Sequence, residues 1–150
     1  RIGALPVQPA VEFFADKEVP AVGDACTRAG GFVSHFGTSN SDKVHDMVAA
    51  GDAKAVRVWN AMIYNICKYI GEMAVVLSGN VDGIVCGGGL LRFEDLKQQI
   101  RERCEWIAPV AFYPGEVEHE AMAAGALRVL RGEEEPLVYT GIPVWNGFED

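Results

Sequence analysis

Apolar residues recur at three- and four-residue spacing between residues 52 and 77, the most regular pattern in the chain. This spacing places them on one face of an α-helix, so it predicts a long helix with one buried side. Asp52 is suited to cap its first turn, and Gly79 is suited to end it. The predicted buried positions are Trp59, Met62, Ile63, Ile66, Ile70, Met73, Ala74 and Leu77.

The second half of the chain alternates between strand and helix patterns. Residues 81–85 form a short apolar run typical of a parallel strand buried on both faces, and residues 107–113 form another. The predicted helices are 94–103, which would bury Leu96, Ile100 and Cys104, and 116–131, which ends before Gly132. Strands that alternate with helices predict an α/β fold with parallel strands joined by helical crossovers.

The first 50 residues and the last 18 are less regular. The pattern predicts a helix near Val11–Ala15, an irregular segment at 23–31 and a short helix over 41–50. Residues 133–150 predict an irregular surface arm. The whole of 1–150 is short enough for one domain and apolar enough to build a core.

Charge and cysteine content narrow the classes of function. A net charge of −8 argues against a nucleic-acid partner, which requires a basic surface. No stretch approaches the roughly 20 apolar residues that span a bilayer, so no membrane partner is expected. The four cysteines form no CxxC pair, which is typical of reduced thiols in a cytoplasmic protein. The three histidines share no metal-binding spacing with them, and we interpret them as structural or solvated.

Three consecutive glycines, Gly87, Gly88 and Gly89, lie between a predicted strand and a predicted helix. This arrangement puts bare backbone at the carboxyl edge of a sheet, where α/β folds bind ligands. The G-x-G-x-x-G and G-x-x-x-x-G-K-[ST] patterns are both absent, so the glycines favour a nucleoside contact over a phosphate cradle. The alternative is that they serve only a tight turn.

The segment VDGIVCGGGLLRFEDLKQQIRERCEWIAPVAFYPGEVEHEAMAAGALRVLRGEEEP closely resembles the carboxyl-terminal part of the butyrate kinase family. That family belongs to the acetate kinase group and to the sugar kinase, heat-shock protein and actin superfamily. The resemblance extends upstream through AGDAKAVRVWNAMIYNICKYIGEMAVVL and GGFVSHFGTSN to RIGALP. It implies an actin-like, ribonuclease-H-like lobe with a central sheet and packed helices. It also implies transfer of the γ-phosphoryl group of ATP, with Mg²⁺, to a short-chain carboxylate, giving an acyl phosphate.

The resemblance assigns the glycine segment to the adenosine site. The matching residues are Gly87, Gly88, Gly89 and Leu90, with Gly87 standing where many relatives have threonine. Arg92 replaces a smaller or polar residue and could stack on the base. The alternative, which we favour from the residue alone, is a solvated arginine at the start of a helix.

Two further polar residues match the segment that approaches the ribose and adenine. Asn40 stands at a usually acidic position, and Asp42 stands about where an arginine is expected. Either could instead cap the helix that follows, and for Asp42 we expect the cap.

The resemblance also supplies candidates for the chemistry. Arg1 matches the catalytic arginine, whose planar guanidinium can neutralise the transferred phosphoryl group and orient a carboxylate. Glu118 is the best match to a magnesium-associated glutamate, although acidic residues at a helix start also compensate the helix dipole.

The glycine-rich phosphate turns and the magnesium aspartate of the superfamily have no match here. We therefore expect 1–150 to be the carboxyl-terminal, nucleotide-binding lobe of a kinase whose amino-terminal lobe is missing, and to be inactive alone. The apolar helix over 52–77 and the surface left by a missing lobe predict a homodimer or larger homo-oligomer. The alternative function is a non-catalytic nucleotide-binding or oligomerisation module of the same superfamily.

Overall fold

The computed structural model describes residues 6–115 and 118–142, which fall into two units, 1–115 and 116–150. The helices of the first unit are α1 (Val7–Phe14), α2 (Val19–Thr27), α3 (Phe32–Phe36), α4 (Ser41–Ala49), α5 (Ala53–Val76) and α6 (Glu94–Cys104). Its strands are β1 (Ile84–Gly88) and β2 (Val110–Pro114), and a 3₁₀ helix spans Gly89–Arg92. In the second unit, α7 (Glu118–Leu130) is followed by residues 131–142 without helix or strand.

The long helix α5 confirms the strongest sequence pattern. The Asp52 carboxylate accepts a hydrogen bond from the Ala55 amide at 2.8 Å, so it caps the first turn as predicted. Trp59 and Ile63 are fully buried, but the last turns lie beyond the core. Leu77 is 53% exposed, so its predicted burial is wrong, as is that of Met73. No described helix, α5 included, is long and apolar enough to cross a membrane.

The strands β1 and β2 pair in parallel, from Ile84 opposite Val110 to Gly88 opposite Pro114. The 3₁₀ helix and α6 connect them, so the predicted α/β fold with a helical crossover is confirmed. A small parallel sheet with packed helices is compatible with an actin-like lobe. The first strand begins three residues later than predicted, and it continues through two of the glycines because strand pairing uses only backbone groups.

One face of this sheet is open in the described structure. Ile84 belongs to the core, whereas Val85 is 73% exposed and Tyr113 is 62% exposed. Side chains alternate between the two faces of a strand, and the helices of the first unit cover only the face that carries Ile84. The prediction of burial on both faces is therefore wrong for this chain.

The core joins α4, α5, α6, β1 and the 3₁₀ helix. The predicted burial of Leu96, Ile100 and Cys104 on α6 is confirmed. The buried core residues are Val44, Trp59, Ile63, Ile84, Leu91, Leu96, Ile100, Cys104 and Ala108. This core holds the start of α4 and the end of β1 on one scaffold.

The amino-terminal region is more helical than predicted. Helix α2 covers Val19–Thr27, half of which was predicted to be irregular. Pro20 is compatible with this helix because it lies in the first turn, where its missing N–H has no intrahelical partner. Helix α1 ends at Phe14, close to the predicted end, but begins four residues earlier.

Cys104 in the core and Cys86 packed against it are free thiols with raised pKa values. Burial raises the pKa of the Cys104 thiol to about 12, with a smaller contribution from a hydrogen bond to Cys67. Burial also raises the pKa of Cys86. The reactive thiolate is therefore disfavoured in the folded protein.

We expect Cys104 to resist thiol reagents at pH 8 until the protein unfolds. Because the pKa of Cys104 is higher in the folded than in the unfolded protein, keeping this thiol protonated contributes to stability. The contribution is complete below the pKa of the unfolded thiol and is lost as pH rises from about 9 towards 12. A thiol-reagent time course with and without denaturant measures the protection. Urea unfolding at pH 8 and pH 10 measures the loss, and Cys104→Ala should reduce the pH dependence. Rapid labelling of Cys104 in the native chain would contradict its burial.

Candidate functional site

The candidate site is the carboxyl edge of the sheet, where both parallel strands end. Gly87 and Gly88 are the last residues of β1, and Gly88 lies opposite Pro114 and bridges to Gly115. The two strand ends therefore place three glycines side by side. Such an edge is the usual location of ligands in α/β folds.

The glycines of this edge have different physical requirements. Gly88 has φ 109° and ψ 172°, a region that only glycine occupies readily, and Gly115 has φ 115°. A Cβ added at Gly87 or Gly88 would meet no atom within 4 Å, so open space lies in front of both residues. The backbone conformation thus accounts for Gly88, whereas Gly87 is constrained neither by a positive φ nor by a neighbour.

The 3₁₀ helix after β1 is held by Arg92, its last residue. The Arg92 Nη1 donates to the Gly89 carbonyl at 2.6 Å, and Nε donates to the Asp42 carboxylate at 2.9 Å. The Arg92 Nη2 lies 2.9 Å from the same Asp42 oxygen and donates to Ser41 Oγ at 2.9 Å. The structure therefore brings Asp42, Arg92 and Gly89 together, while the Arg92 side chain stays 44% exposed, as expected of a solvated arginine.

The start of α4 is capped by Asn40 and not by Asp42, so the predicted capping role of Asp42 is wrong. The Asn40 Oδ1 accepts from the amides of Asp42 at 2.9 Å and Lys43 at 3.3 Å. Asn40 can do this because its backbone is extended, with φ −73° and ψ 110°, which aims its side chain along the helix axis. Asp42 lies in the first turn, where its charge is free to pair with Arg92.

A cluster of aromatic side chains and Asp95 lies next to the 3₁₀ helix that follows β1. Asp95 lies 3.1 Å from His45 Nε2 and accepts from the Trp59 indole N–H at 2.8 Å. The Phe93 ring stacks on His45 with centroids 4.4 Å apart and meets Trp59 edge-on at 5.1 Å. These contacts tie α4, α5 and α6 together around Phe93, the residue that follows the 3₁₀ helix. They also support the structural interpretation of His45.

The residues proposed for chemistry are less connected. Arg1 lies outside the described residues. Glu118 begins α7 of the second unit. Among residues 6–115 and 118–142, no group of three or more acidic, cysteine or histidine side chains is arranged to hold a metal ion. Glu118 alone does not form a Mg²⁺ site, and its assignment stays a prediction.

Sequence reasoning missed two residues of this edge, Ser41 and Gly115. Ser41 gave no signal because its contact with Arg92 spans 51 residues along the chain. Gly115 follows directly after a strand, so a glycine at the end of a second parallel strand was a usable signal. The edge is open surface: two hollows of about 400 and 380 Å³ lie elsewhere, and neither includes a residue of the edge.

The chain is similar in sequence to a curated protein over most of its length. No protein-family model matches the chain. The chain is 40% identical over 141 residues to a curated protein named "Probable butyrate kinase" from Coprothermobacter proteolyticus. The match covers 93% of this chain and 40% of that relative, so the chain spans less than half of the relative's length. This confirms the resemblance deduced from the motifs, and the chain is a homologue of that kinase.

Proposed function

We propose that this homologue of a butyrate kinase is the adenosine-binding lobe of an enzyme that transfers the γ-phosphoryl group of ATP to a short-chain carboxylate. Butyrate is the proposed acceptor and butyryl phosphate the product. The name of the relative is the reason for proposing this reaction. The glycine edge is the reason for proposing the nucleotide site.

The observation that carries the proposal is the bare backbone at the end of β1. Open space lies in front of Gly88, so a flat nucleoside can approach the main chain there without meeting a side chain. Gly115 extends this surface onto the end of β2. The adenosine-site residues of the proposal are Gly87, Gly88, Gly89, Leu90, Arg92, Asn40 and Asp42.

Phosphoryl transfer needs further groups around the β- and γ-phosphates, since catalysis of this reaction depends on positioning and charge stabilisation. Mg²⁺ bound with ATP would neutralise phosphate charge. Arg1 is the proposed catalytic arginine, and Glu118 is the proposed magnesium-associated residue. The open glycine edge fits a lobe whose nucleotide is enclosed by a second, amino-terminal lobe, and a cytoplasmic homo-oligomer remains part of the proposal.

The test compares the isolated chain with the protein translated from its complete reading frame. We expect the 150-residue chain to bind ADP in calorimetry but to form no butyryl phosphate from ATP, Mg²⁺ and butyrate. The complete protein should form it, as detected by hydroxamate trapping. Turnover by the isolated chain would contradict the lobe assignment. Nucleotide binding without turnover by the complete protein would favour the alternative, a non-catalytic nucleotide-binding module.

A further inference from the structure

All three nitrogens of the Arg92 guanidinium contact partners within the chain. Its three nitrogens contact the Asp42 carboxylate, the Ser41 hydroxyl and the Gly89 carbonyl, at 2.6 to 2.9 Å. Its Cζ also lies 4.6 Å from the centre of the Phe93 ring. In this conformation Arg92 has no nitrogen left without a protein acceptor. Because its charge is paired with Asp42, Arg92 is poorly placed to be a primary ligand for phosphate.

These contacts join two backbone segments that the sequence separates widely. Asp42 and Arg92 are 50 residues apart, and the Gly89 carbonyl belongs to the turn itself. A planar guanidinium can bridge several acceptors at fixed angles, which a lysine ammonium cannot reproduce. The geometry of the 3₁₀ turn is thus coupled to the first turn of α4.

We propose that Asp42 and Arg92 form a clamp that positions the glycine turn, Gly87–Gly89, for the nucleotide. Arg92 holds the backbone of this turn and does not contact the base. The clamp deepens the proposed function and rests on it. Both residues are positioning residues. The alternative is that Arg92 leaves Asp42 and stacks directly on the base.

A double-mutant cycle separates these roles, because only residues that act as one unit give non-additive effects. We expect Asp42→Ala and Arg92→Ala each to weaken ADP binding about fivefold, and the double variant also about fivefold. The exchanged pair Asp42→Arg with Arg92→Asp should not recover affinity, because a carboxylate at position 92 cannot donate to the Gly89 carbonyl. Arg92→Lys should not recover it. Arg103→Ala is the matched control, because this arginine donates to the Gln99 carbonyl on α6.

Amide hydrogen exchange tests the clamp independently of nucleotide binding. Amide hydrogen exchange at Gly89–Leu91 should accelerate equally in both single variants and in the double variant, without a comparable change at α5. In the complete enzyme, KM for ATP should rise with kcat unchanged. If wild type binds no ADP, the proposed function fails, while the exchange data still decide whether the clamp exists. Loss of affinity in Arg92→Ala but not in Asp42→Ala, or additive losses, would overturn the clamp.

Discussion

Replacing Gly88 with alanine should weaken binding of adenine nucleotides at least about tenfold, a loss of at least ~1.4 kcal/mol in binding free energy. Gly88 ends β1 with φ 109° and ψ 172°, and open space lies in front of its backbone. A methyl group there would occupy the proposed path of the nucleoside and would also strain the backbone by about 1–3 kcal/mol. Calorimetric titration with ADP, alongside thermal unfolding, measures both effects.

The control must separate backbone strain from loss of the ligand surface. Gly51→Ala provides it, because Gly51 also has a positive φ of 81° with no atom within 4 Å of an added Cβ, and lies directly after α4. This variant should lose about 1–2 kcal/mol of stability and keep its nucleotide affinity. Gly87→Thr should keep both, since the φ of Gly87 is not positive and an added Cβ meets no atom within 4 Å. Unchanged affinity in a folded Gly88→Ala protein would show that the turn does not bind the nucleoside.

Replacing Trp59 with alanine should destabilise the fold by about 3–5 kcal/mol, a large share of the roughly 5–15 kcal/mol typical of a domain. Trp59 is fully buried, stacks on Phe32 with ring centroids 5.9 Å apart and donates its indole N–H to Asp95. Removal of the ring leaves a cavity between three helices and takes one hydrogen bond from the Asp95 carboxylate. Urea unfolding followed by circular dichroism measures the free-energy change.

Two variants divide this loss into its causes. Trp59→Phe keeps much of the aromatic packing but removes the hydrogen bond, so we expect an intermediate loss of about 1–2 kcal/mol. Trp106→Ala controls for tryptophan removal as such, because Trp106 is 81% exposed and its loss should stay within about 0.5 kcal/mol. Equal losses for Trp59→Ala and Trp106→Ala would contradict the role of Trp59 as the centre of the core.

The parts of the fold that depend on long repeated patterns were predictable from sequence. Helices α5 and α6 repeat their apolar residues over several turns, and this spacing identifies both as helices and shows which face is buried. Strand β1 was placed three residues too early because glycines carry no side-chain signal for strand pairing. Helix α2 was partly missed because Gly23 weakens the helical pattern without preventing the helix.

The glycine run of the candidate site was predictable from the sequence, but the contacts around it were not. The glycine run marked the sheet edge directly, since three consecutive glycines between a strand and a helix are unusual. The pairing of Asp42 with Arg92 depends on how α4 packs beside the 3₁₀ turn, which no local pattern encodes. For the same reason the sequence did not show that α4 is capped by Asn40 and not by Asp42. Sequence indicates which residues are polar and exposed, and packing decides which of them meet.

The chain separation of these contacts has a consequence for the order of folding. The unit formed by β1, the 3₁₀ turn, α6 and β2 is continuous in sequence, so its parallel pairing closes a loop of modest length. The contacts of Asp42 with Arg92 and of His45 with Asp95 each span 50 residues. We expect these two contacts to form after the segment from β1 to β2 has docked on α5. The glycine turn would then acquire its binding geometry at the last stage of folding, as α4 is secured against it.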